Sequence, residues 1–242
     1  MRANICSGCG APLTDLSQQV VMCGYCGASY ILPQARQPQP QPSPPPRERP
    51  ATIGDLLLGT DFRDPDLPGW RRYYKEQTQF IHLPGLPPEL EGTFKKEKAL
   101  SGVVGTCGPL HNCDISVNIR FISGSYTGAR AGIEFRYRDE GNYVAILSPQ
   151  GTYCVGYHVD RKWGDYLNNW SRHPALKEGW GEINRLRVLN RGEQIRVYLN
   201  GSLAASIRDA RYTTGRALVV VGPIGEDTRL AISDLQIREV TA

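Results

Sequence analysis

Two Cys-x-x-Cys pairs near the start of the chain constrain its fold more than any other feature. Cys6 and Cys9 form the first pair, and Cys23 and Cys26 form the second. Two intervening residues allow a tight turn that directs both sulfur atoms at one ion, which is the ligand spacing of tetrahedral zinc. Because the surrounding segment is too short to build a core, we expect Zn²⁺ to drive its folding. The same four thiolates would suit iron in a rubredoxin-like site, and that alternative stays open.

The residues around these cysteines resemble a known type of small domain. CSGCGAPL and CGYCG, within residues 6–30, are similar to the zinc ribbons of bacterial proteins. In such ribbons four cysteines close the coordination shell, which implies a structural rather than a catalytic metal. The resemblance implies a structural or protein-interaction module, and some ribbons of this kind bind nucleic acid.

Composition divides the chain into three segments. Residues 33–50, PQARQPQPQPSPPPRERP, contain eight prolines and no aliphatic side chain larger than that of alanine. Such a segment cannot bury enough apolar surface to offset its ordering entropy, so we expect an extended spacer or, as an alternative, a ligand for a proline-binding domain. The sequence therefore predicts a zinc ribbon over 1–32, a disordered linker over 33–50 and a large domain over 51–242.

The large domain has the pattern of an antiparallel β-sandwich. Ile115, Val117, Ile119 and Phe121 alternate with polar residues, which places one face of a strand in a core. The segments 132–159 and 184–207 each predict three strands joined by turns, including Asn200-Gly201, the strongest short hairpin pattern. Further strands are predicted at 218–221 and 230–237, and a single helical turn at 53–58. Many short strands at this spacing favour a two-sheet sandwich.

Several stretches of the large domain resemble a known fold family. They are DFRDPDLPGW, AGIEFRYRDEGNYVAIL, NRLRVLNRGEQIRVYLNG and LAISDLQIREV, which together extend over most of residues 61–240. They are similar to concanavalin A-like, or laminin-G-like, jelly rolls, and within these to bacterial domains related to family 16 glycoside hydrolases and keto-disaccharide hydrolases. The resemblance implies two antiparallel sheets, one of them curved, with a concave face on which relatives bind or cut glycans.

The catalytic residues of such hydrolases are not evident. Glycosidases of this fold carry Glu-x-Asp-x-x-Glu, in which a spacing of two puts carboxylates on the same face of a strand. The nearest equivalent is Glu134 followed by Asp139 and Glu140. On a regular strand Glu134 and Asp139 would face opposite ways, and Asp139 and Glu140 are expected to lie in a turn. We therefore predict no catalytic residues and expect a binding protein rather than an enzyme.

Aromatic residues crowd one stretch of the large domain. Trp163, Tyr166 and Trp170 lie in WGDYLNNW beside two asparagines and an aspartate. Aromatic faces with amide and acid neighbours suit sugar rings, although the same residues could instead pack in the core or on a sheet face. Our hypothesis is that Arg136, Tyr143, Trp163 and Trp170 border a ligand cleft.

Cys107, His111, Cys113 and Cys154 could supply further metal ligands or a disulfide from Cys107 to Cys113. A second metal site needs at least three convergent ligands, so we expect reduced thiols, some of them buried.

Charge and hydropathy limit the partners. The formal net charge of +4 on 242 residues is too small for nonspecific nucleic-acid binding. No apolar run approaches 18 residues and no secretory signal sequence opens the chain, so we expect a cytoplasmic protein without a membrane span.

The favoured hypothesis is a non-catalytic adaptor, whose ribbon docks on a protein while its sandwich recognises a protein or a glycan. The alternative is a lectin or a glycoside hydrolase-like enzyme, and a weaker one is nucleic-acid binding by the ribbon.

Overall fold

The computed structural model describes residues 11, 13, 20–22, 29–31, 52–64, 69–72, 78–81, 88–94, 103–105, 109–222 and 224–241. Every regular element within these residues is a β-strand. In this part of the chain, no helix is long and apolar enough to cross a membrane. The prediction of a mainly β protein is confirmed.

The chain divides into two compact units, Met1–Glu48 and Arg49–Ala242. In the first unit, β1 (Val20–Met22) and β2 (Ser29–Ile31) pair antiparallel, with Val20 opposite Ile31. The four cysteines of the predicted zinc ribbon and the linker at 33–50 lie outside the described residues. The ribbon, its metal and the domain boundaries therefore remain predictions.

The described strands of the second unit form two antiparallel sheets. We call the first the seven-stranded sheet, after the strands that the structure describes. In spatial order it contains β12 (Lys162–Arg172), β11 (Thr152–Val159), β10 (Gly141–Leu147), β9 (Ala131–Tyr137), β16 (Arg216–Val221), β7 (Val103–Gly105) and β4 (Trp70–Arg72).

The second sheet, which we call the eight-stranded sheet on the same basis, has the long strand β17 (Thr228–Thr241) near its middle. One edge of β17 pairs with β8 (Cys113–Ser123), and its other edge pairs with two strands, β6 (Glu89–Phe94) and β3 (Thr52–Thr60). The remaining members are β13 (Ile183–Arg191), β14 (Gln194–Leu199), β15 (Ser202–Arg208) and β5 (Thr78–Ile81).

The hydrophobic core lies between the two sheets. Ile133 and Phe135 of β9 and Ala145 of β10 face it from the seven-stranded sheet, and Val117 and Ile119 of β8 face it from the other sheet. Each of these side chains is almost fully buried. Burial of a large apolar side chain contributes about 1.5–3 kcal/mol relative to exposure, so this interface holds the sandwich together. The predicted alternation along β8 and the two-sheet sandwich are confirmed.

The predicted hairpin turn at Asn200-Gly201 is confirmed as the connection between β14 and β15. Both residues have positive φ, 49° and 86°, as a two-residue hairpin turn with matching twist requires. The Asn200 side chain also accepts a hydrogen bond from the Arg185 N–H at 2.7 Å. The turn is therefore fixed by backbone conformation and by a side-chain bond to the neighbouring strand.

The prediction of a helical turn at 53–58 is wrong. These residues belong to β3, which pairs antiparallel with β17 from Thr60 opposite Leu235 to Thr52 opposite Thr241. The edge of β17 offers unpaired N–H and C=O groups along its second half, and pairing with them satisfies the backbone of β3. Tertiary pairing thus overrides the local apolar spacing. Leu56 and Leu57 remain exposed on this strand.

Candidate functional site

The candidate site lies on the outer face of the seven-stranded sheet, the face that points away from the core. Since side chains alternate along a strand, the residues between the core positions of β9 to β12 share this face. Cross-strand pairing aligns them in two rows. The first row contains Asn142, His158 and Trp163, and the second contains Glu134, Val144, Gly156 and Tyr166.

Trp163 forms the exposed aromatic surface of the site together with Tyr166. Their ring centroids lie 4.9 Å apart with planes tilted by 56°. Trp163 also makes an edge-to-face contact with His158 at 5.4 Å. Trp163 is 39% exposed and Tyr166 is 38% exposed, which is unusual for large aromatic side chains on a sheet face. The sheet therefore presents two adjacent aromatic rings to the exterior.

Gly156 makes room for the Trp163 indole. A Cβ atom built on Gly156 would lie only 2.6 Å from Cη2 and Cζ2 of Trp163 and 2.8 Å from the Asp165 carbonyl oxygen. Because glycine has no side chain, the ring can lie directly across the backbone of β11. The orientation of Trp163 thus depends on Gly156, whose cross-strand partner on β12 is Tyr166.

A buried polar group of three residues lies beside the aromatic pair. Asn142 Nδ2 lies 3.2 Å from His158 Nδ1 and donates a hydrogen bond to the Tyr143 carbonyl at 3.1 Å. His158 Nδ1 lies 3.5 Å from Glu134 Oε1. Glu134 is only 3% exposed. We call Glu134, Asn142 and His158 the polar trio.

Burial sets the protonation of the polar trio. Desolvation raises the pKa of Glu134 to about 7, partly offset by its hydrogen bond with Asn142. Burial lowers the pKa of His158, because the protonated imidazole is disfavoured away from water. The contact between His158 and Glu134 is therefore one between a neutral imidazole and a carboxyl group, not a salt bridge. At neutral pH Glu134 can donate or accept a hydrogen bond, depending on its proton.

Arg130 and Trp170 occupy the opposite end of the same outer face. The guanidinium carbon of Arg130 lies 4.9 Å from the centroid of the Trp170 ring, within the range of a cation–π contact. Nearby, burial raises the pKa of the Cys154 thiol to about 12, with Arg130 partly opposing the shift. Cys154 is thus a protonated, buried thiol without nucleophilic character at neutral pH.

The structure places two of the four predicted cleft residues on the outer face, but at opposite ends of it. Trp163 and Trp170 both lie on β12, on the margin of the outer face. Arg136 and Tyr143 lie inside the sandwich and expose almost no surface. Neither of these two side chains reaches the outer face, so the candidate site defined here omits both.

Backbone geometry explains the position of Arg136. Its φ of 52° falls in the left-handed region, at a register irregularity between β9 and β16. The alternation of side chains is interrupted there, and the guanidinium donates hydrogen bonds to the carbonyl oxygens of Tyr212 at 2.8 Å and Gly192 at 2.6 Å. Arg136 thereby joins loops at one end of the sandwich.

Tyr143 has a similar structural role. Its hydroxyl donates to Asp209 Oδ1 at 2.6 Å and accepts from the Tyr212 N–H at 3.1 Å. Its ring stacks on Phe135 at 5.4 Å. Burial and the hydrogen bond to Asp209 raise the pKa of this hydroxyl.

The predicted metal ligands lie outside the described residues. Within the described part of the chain, no group of three or more His, Cys, Asp or Glu side chains could hold a metal ion. Cys113 and Cys154 are both buried, whereas Cys107 is not described. The Asn190 amide donates to the Cys113 sulfur at 3.1 Å.

Sequence reasoning found the aromatic residues but missed most of their neighbours. Asn142, Gly156 and His158 carry no motif, and they meet Glu134 only because three strands pair in a particular register. Glu134 has no carboxylate partner at a short spacing along the chain, and its contacts come from other strands. In the sequence, the one indication that Cys154, Gly156 and His158 share a face is that they alternate with positions expected to face the core.

Comparisons with known proteins identify the fold. No protein-family model matches the sequence. No curated protein matches it either. Among solved structures, the carbohydrate-binding module CBM66 from Bacillus subtilis superposes with a TM-score of 0.53 and 12% identity, covering 71% of this chain and 96% of the module.

Two further structures have the same fold. A Bacteroides ovatus GH16 protein, solved in complex with a G4G4G3G product, has a TM-score of 0.58 and 9% identity over 75% of this chain and 100% of its own. A Bacillus subtilis protein of unknown function with a galectin-like fold has a TM-score of 0.59 and 9% identity over 79% of this chain and 99% of its own. At these identities the likeness shows the fold alone. The predicted concanavalin A-like jelly roll is confirmed.

Proposed function

We propose that residues 51–242 form a carbohydrate-binding domain whose ligand lies on the outer face of the seven-stranded sheet. The observation that carries this proposal is the pair of exposed rings, Trp163 and Tyr166, beside the buried polar trio. Solved structures with this fold include a carbohydrate-binding module and a GH16 protein, which supports this function over the protein adaptor predicted from the sequence. A protein partner has no support in these comparisons.

The geometry suits a saccharide in two respects. A sugar ring has an apolar face of C–H groups, which packs on an aromatic face, and hydroxyl groups around its edge, which need hydrogen-bonding partners. Trp163 and Tyr166 provide the aromatic face, and the position of Trp163 is fixed by Gly156 and by the contact with His158. A surface that is held in place before the ligand arrives loses little entropy on binding.

The polar trio supports this surface from below. His158 contacts both the Trp163 ring and the other two members of the trio, so the imidazole connects the buried group to the exposed one. A change in the protonation of Glu134 or His158 would therefore alter the surroundings of the Trp163 ring. We infer that the trio positions Trp163 rather than contacting the sugar directly, since Glu134 and Asn142 are buried.

Binding is proposed in preference to hydrolysis. The usual glycosidase mechanism requires two carboxyl groups about 5–10 Å apart, one on each side of the scissile bond. Glu134 provides one carboxyl group, but it is only 3% exposed and contacts an imidazole and an amide, so it is not open to a scissile bond. Incubation of the protein with any glycan that it binds, followed by product analysis, distinguishes the two functions.

The proposal is tested by a glycan-array screen of the full chain, followed by titration calorimetry of the glycan that gives the strongest signal. We expect Trp163→Ala to weaken binding at least about tenfold, because a stacking residue at the centre of a site contributes more than about 1.4 kcal/mol. Tyr198→Ala is the matched control. Tyr198 lies on the outer face of the other sheet, where Arg187 covers its ring at 5.0 Å.

Equal loss of binding in both variants would show that the aromatic pair is not the site. A blank array for the well-folded wild-type protein would overturn the proposed function.

We also propose that Cys6, Cys9, Cys23 and Cys26 hold one Zn²⁺ that supplies structural cross-linking. The β1–β2 pairing supports this, because Met22 opposite Ser29 brings together the ends of the segment that contains Cys23 and Cys26. Metal analysis of the purified chain should give one zinc per chain, and Cys23→Ser should reduce it. Iron at that stoichiometry would favour the rubredoxin-like alternative. Protein docking by the ribbon and a cytoplasmic location remain predictions.

A further inference from the structure

A second exposed aromatic pair lies outside the candidate site. Tyr126 is in the connection between β8 and β9, and Trp180 is in the connection between β12 and β13. Their ring centroids lie 5.7 Å apart in an edge-to-face arrangement, and the residues are 37% and 39% exposed. Two large rings that remain exposed while touching each other need an explanation beyond packing.

The backbone holds Trp180 in place on both sides. The Gly179 N–H donates to the Pro149 carbonyl at 2.9 Å, and the Gly181 N–H donates to the Phe121 carbonyl at 2.8 Å. Both glycines have positive φ, 114° and 82°, which other residues adopt with difficulty. The loop is thus tied to two other parts of the sandwich immediately before and after the tryptophan.

The turn that carries Tyr126 is also fixed. The Ser125 carbonyl accepts hydrogen bonds from the N–H groups of Gly128 at 3.2 Å and Ala129 at 2.8 Å, and the Ser125 hydroxyl accepts from Gly128 as well. The Gly128 carbonyl accepts from the Ile224 N–H at 3.1 Å, which anchors the turn to a further segment. Both rings are therefore presented by ordered loops, so little conformational entropy would be lost on binding.

Polar groups stand beside these rings. Glu178 accepts a hydrogen bond from the Tyr126 hydroxyl at 2.9 Å on one carboxylate oxygen and from Arg172 Nη1 at 2.8 Å on the other. The hydrogen bonds from Arg172 and Tyr126 hold the pKa of Glu178 below its usual value, so the carboxylate is charged at neutral pH. The side chains of Arg172 and Glu178 are 71% and 44% exposed, so each can bond to a ligand hydroxyl as well.

We propose that Tyr126, Arg172, Glu178 and Trp180 form a second saccharide-binding site. It combines aromatic surface with a carboxylate acceptor and a guanidinium donor, the groups that match the apolar faces and hydroxyl edges of sugars. A protein partner is the less favoured occupant, because a docking surface for a protein would be expected to extend as a larger apolar patch.

Arg172 lies on β12, nine residues after Trp163. At about 3.3 Å per residue, the two sites are roughly 30 Å apart along one edge strand. A single polysaccharide chain can therefore occupy both, and we infer that the domain binds polymers by two separated contacts. This inference rests on the proposed function of the first site. Two linked contacts raise the affinity for a long chain well above that of either site alone.

The test is an array that carries β-glucan and galactan series from disaccharide to decasaccharide, probed with the full chain. We expect the wild-type signal to rise steeply with chain length in one series. Trp180→Ala should reduce the affinity for the longest member at least about tenfold while leaving that for the shortest member unchanged. Tyr126→Phe keeps the ring but removes the hydroxyl that holds Glu178, and we expect a smaller loss in the same direction.

The outcomes separate the two proposals. If Trp163→Ala abolishes binding while Trp180→Ala keeps the wild-type length profile, the second site is overturned and the first one stands. A wild-type signal that does not depend on chain length also overturns the second site. If neither tryptophan variant alters binding, or the wild-type array is blank, the proposed function fails and the second site fails with it.

Discussion

The outer faces of the two sheets differ in how their polar groups are satisfied. On the eight-stranded sheet, charged side chains pair with each other across strands. Arg187 donates two hydrogen bonds to Asp114, at 2.7 and 2.9 Å, and Arg120 pairs with the buried Glu89. On the seven-stranded sheet, glycine, histidine and exposed aromatic residues take these positions, and the one buried carboxyl group has no cationic partner among its described contacts.

This difference indicates which face is available to a ligand. The bidentate pair engages two donors of the Arg187 guanidinium and both oxygens of Asp114, which is itself buried, so this pair offers little to a ligand. The aromatic surface of Trp163 and Tyr166 is already exposed and needs no such exchange. The eight-stranded sheet thus gains stability from its outer face, whereas the seven-stranded sheet keeps an open surface.

The largest expected effect comes from filling the space at Gly156. Gly156→Ala places a methyl group 2.6 Å from the Trp163 ring and must displace it, so we expect glycan binding to be lost and stability to fall by about 1–3 kcal/mol. Titration calorimetry and urea unfolding measure the two effects. The matched control is Gly54→Ala on the eight-stranded sheet, where the new methyl group lies at ordinary contact distance, 3.4 Å from Glu239. Unchanged glycan binding by Gly156→Ala would show that binding does not depend on the orientation of the Trp163 ring.

The next effect concerns the buried carboxyl group. The pKa of Glu134 is raised to about 7 in the folded protein, above its value in the unfolded chain, so the folded state binds the proton more tightly. Its stabilising contribution is therefore full below about pH 4.5 and is lost as the pH rises towards 7. Glu134→Gln removes this dependence, and we expect the variant to gain up to about 3 kcal/mol relative to wild type across that range.

Urea unfolding of both proteins from pH 4.5 to 8 measures this difference. Subtracting the two free energies of unfolding at each pH cancels the contributions of titrating groups that the two proteins share. The exposed Glu226→Gln is the control for the substitution itself. A pH-independent difference between wild type and Glu134→Gln would contradict the described burial of Glu134.

The smallest effect on stability is expected on the outer face of the eight-stranded sheet, where charged side chains pair. Arg187→Met leaves the buried Asp114 without its two charged hydrogen bonds, and because Arg187 is one-third exposed we expect a loss of about 1–2 kcal/mol in urea unfolding. Glycan affinity should not change. A loss of affinity in this variant, with the fold intact, would place the ligand on the eight-stranded sheet.

The sequence predicts the fold well where side chains alternate. Strands β8 to β11 and β13 to β17 are alternating segments or short apolar runs bounded by turn residues, and each of them is confirmed. Strand β12 has no such pattern, because WGDYLNNW mixes aromatic and polar residues without a period of two and pairs with β11 through several register irregularities. The local spacing in β3 favours a helical turn, whereas the partner that makes it a strand, β17, lies almost at the other end of the chain.

The candidate site was predictable only in part. The aromatic stretch at 163–170 stands out in the sequence, since two of the four tryptophans of the chain fall within eight residues. The polar trio arises from three strands, and only their register brings Glu134 next to His158 rather than to a carboxylate nearby in sequence. The interior positions of Arg136 and Tyr143 depend on a local irregularity in β9 and on a loop contact with Asp209, neither of which leaves a pattern in the sequence.

The most direct test of the ligand surface is hydroxyl-radical footprinting of the full chain, with and without the strongest glycan from the array. We expect protection of Trp163 and Tyr166 on the seven-stranded sheet and unchanged reactivity of Tyr198 on the eight-stranded sheet. Protection of Tyr198 with no change at Trp163 and Tyr166 would contradict the central claim and move the binding site to the other face.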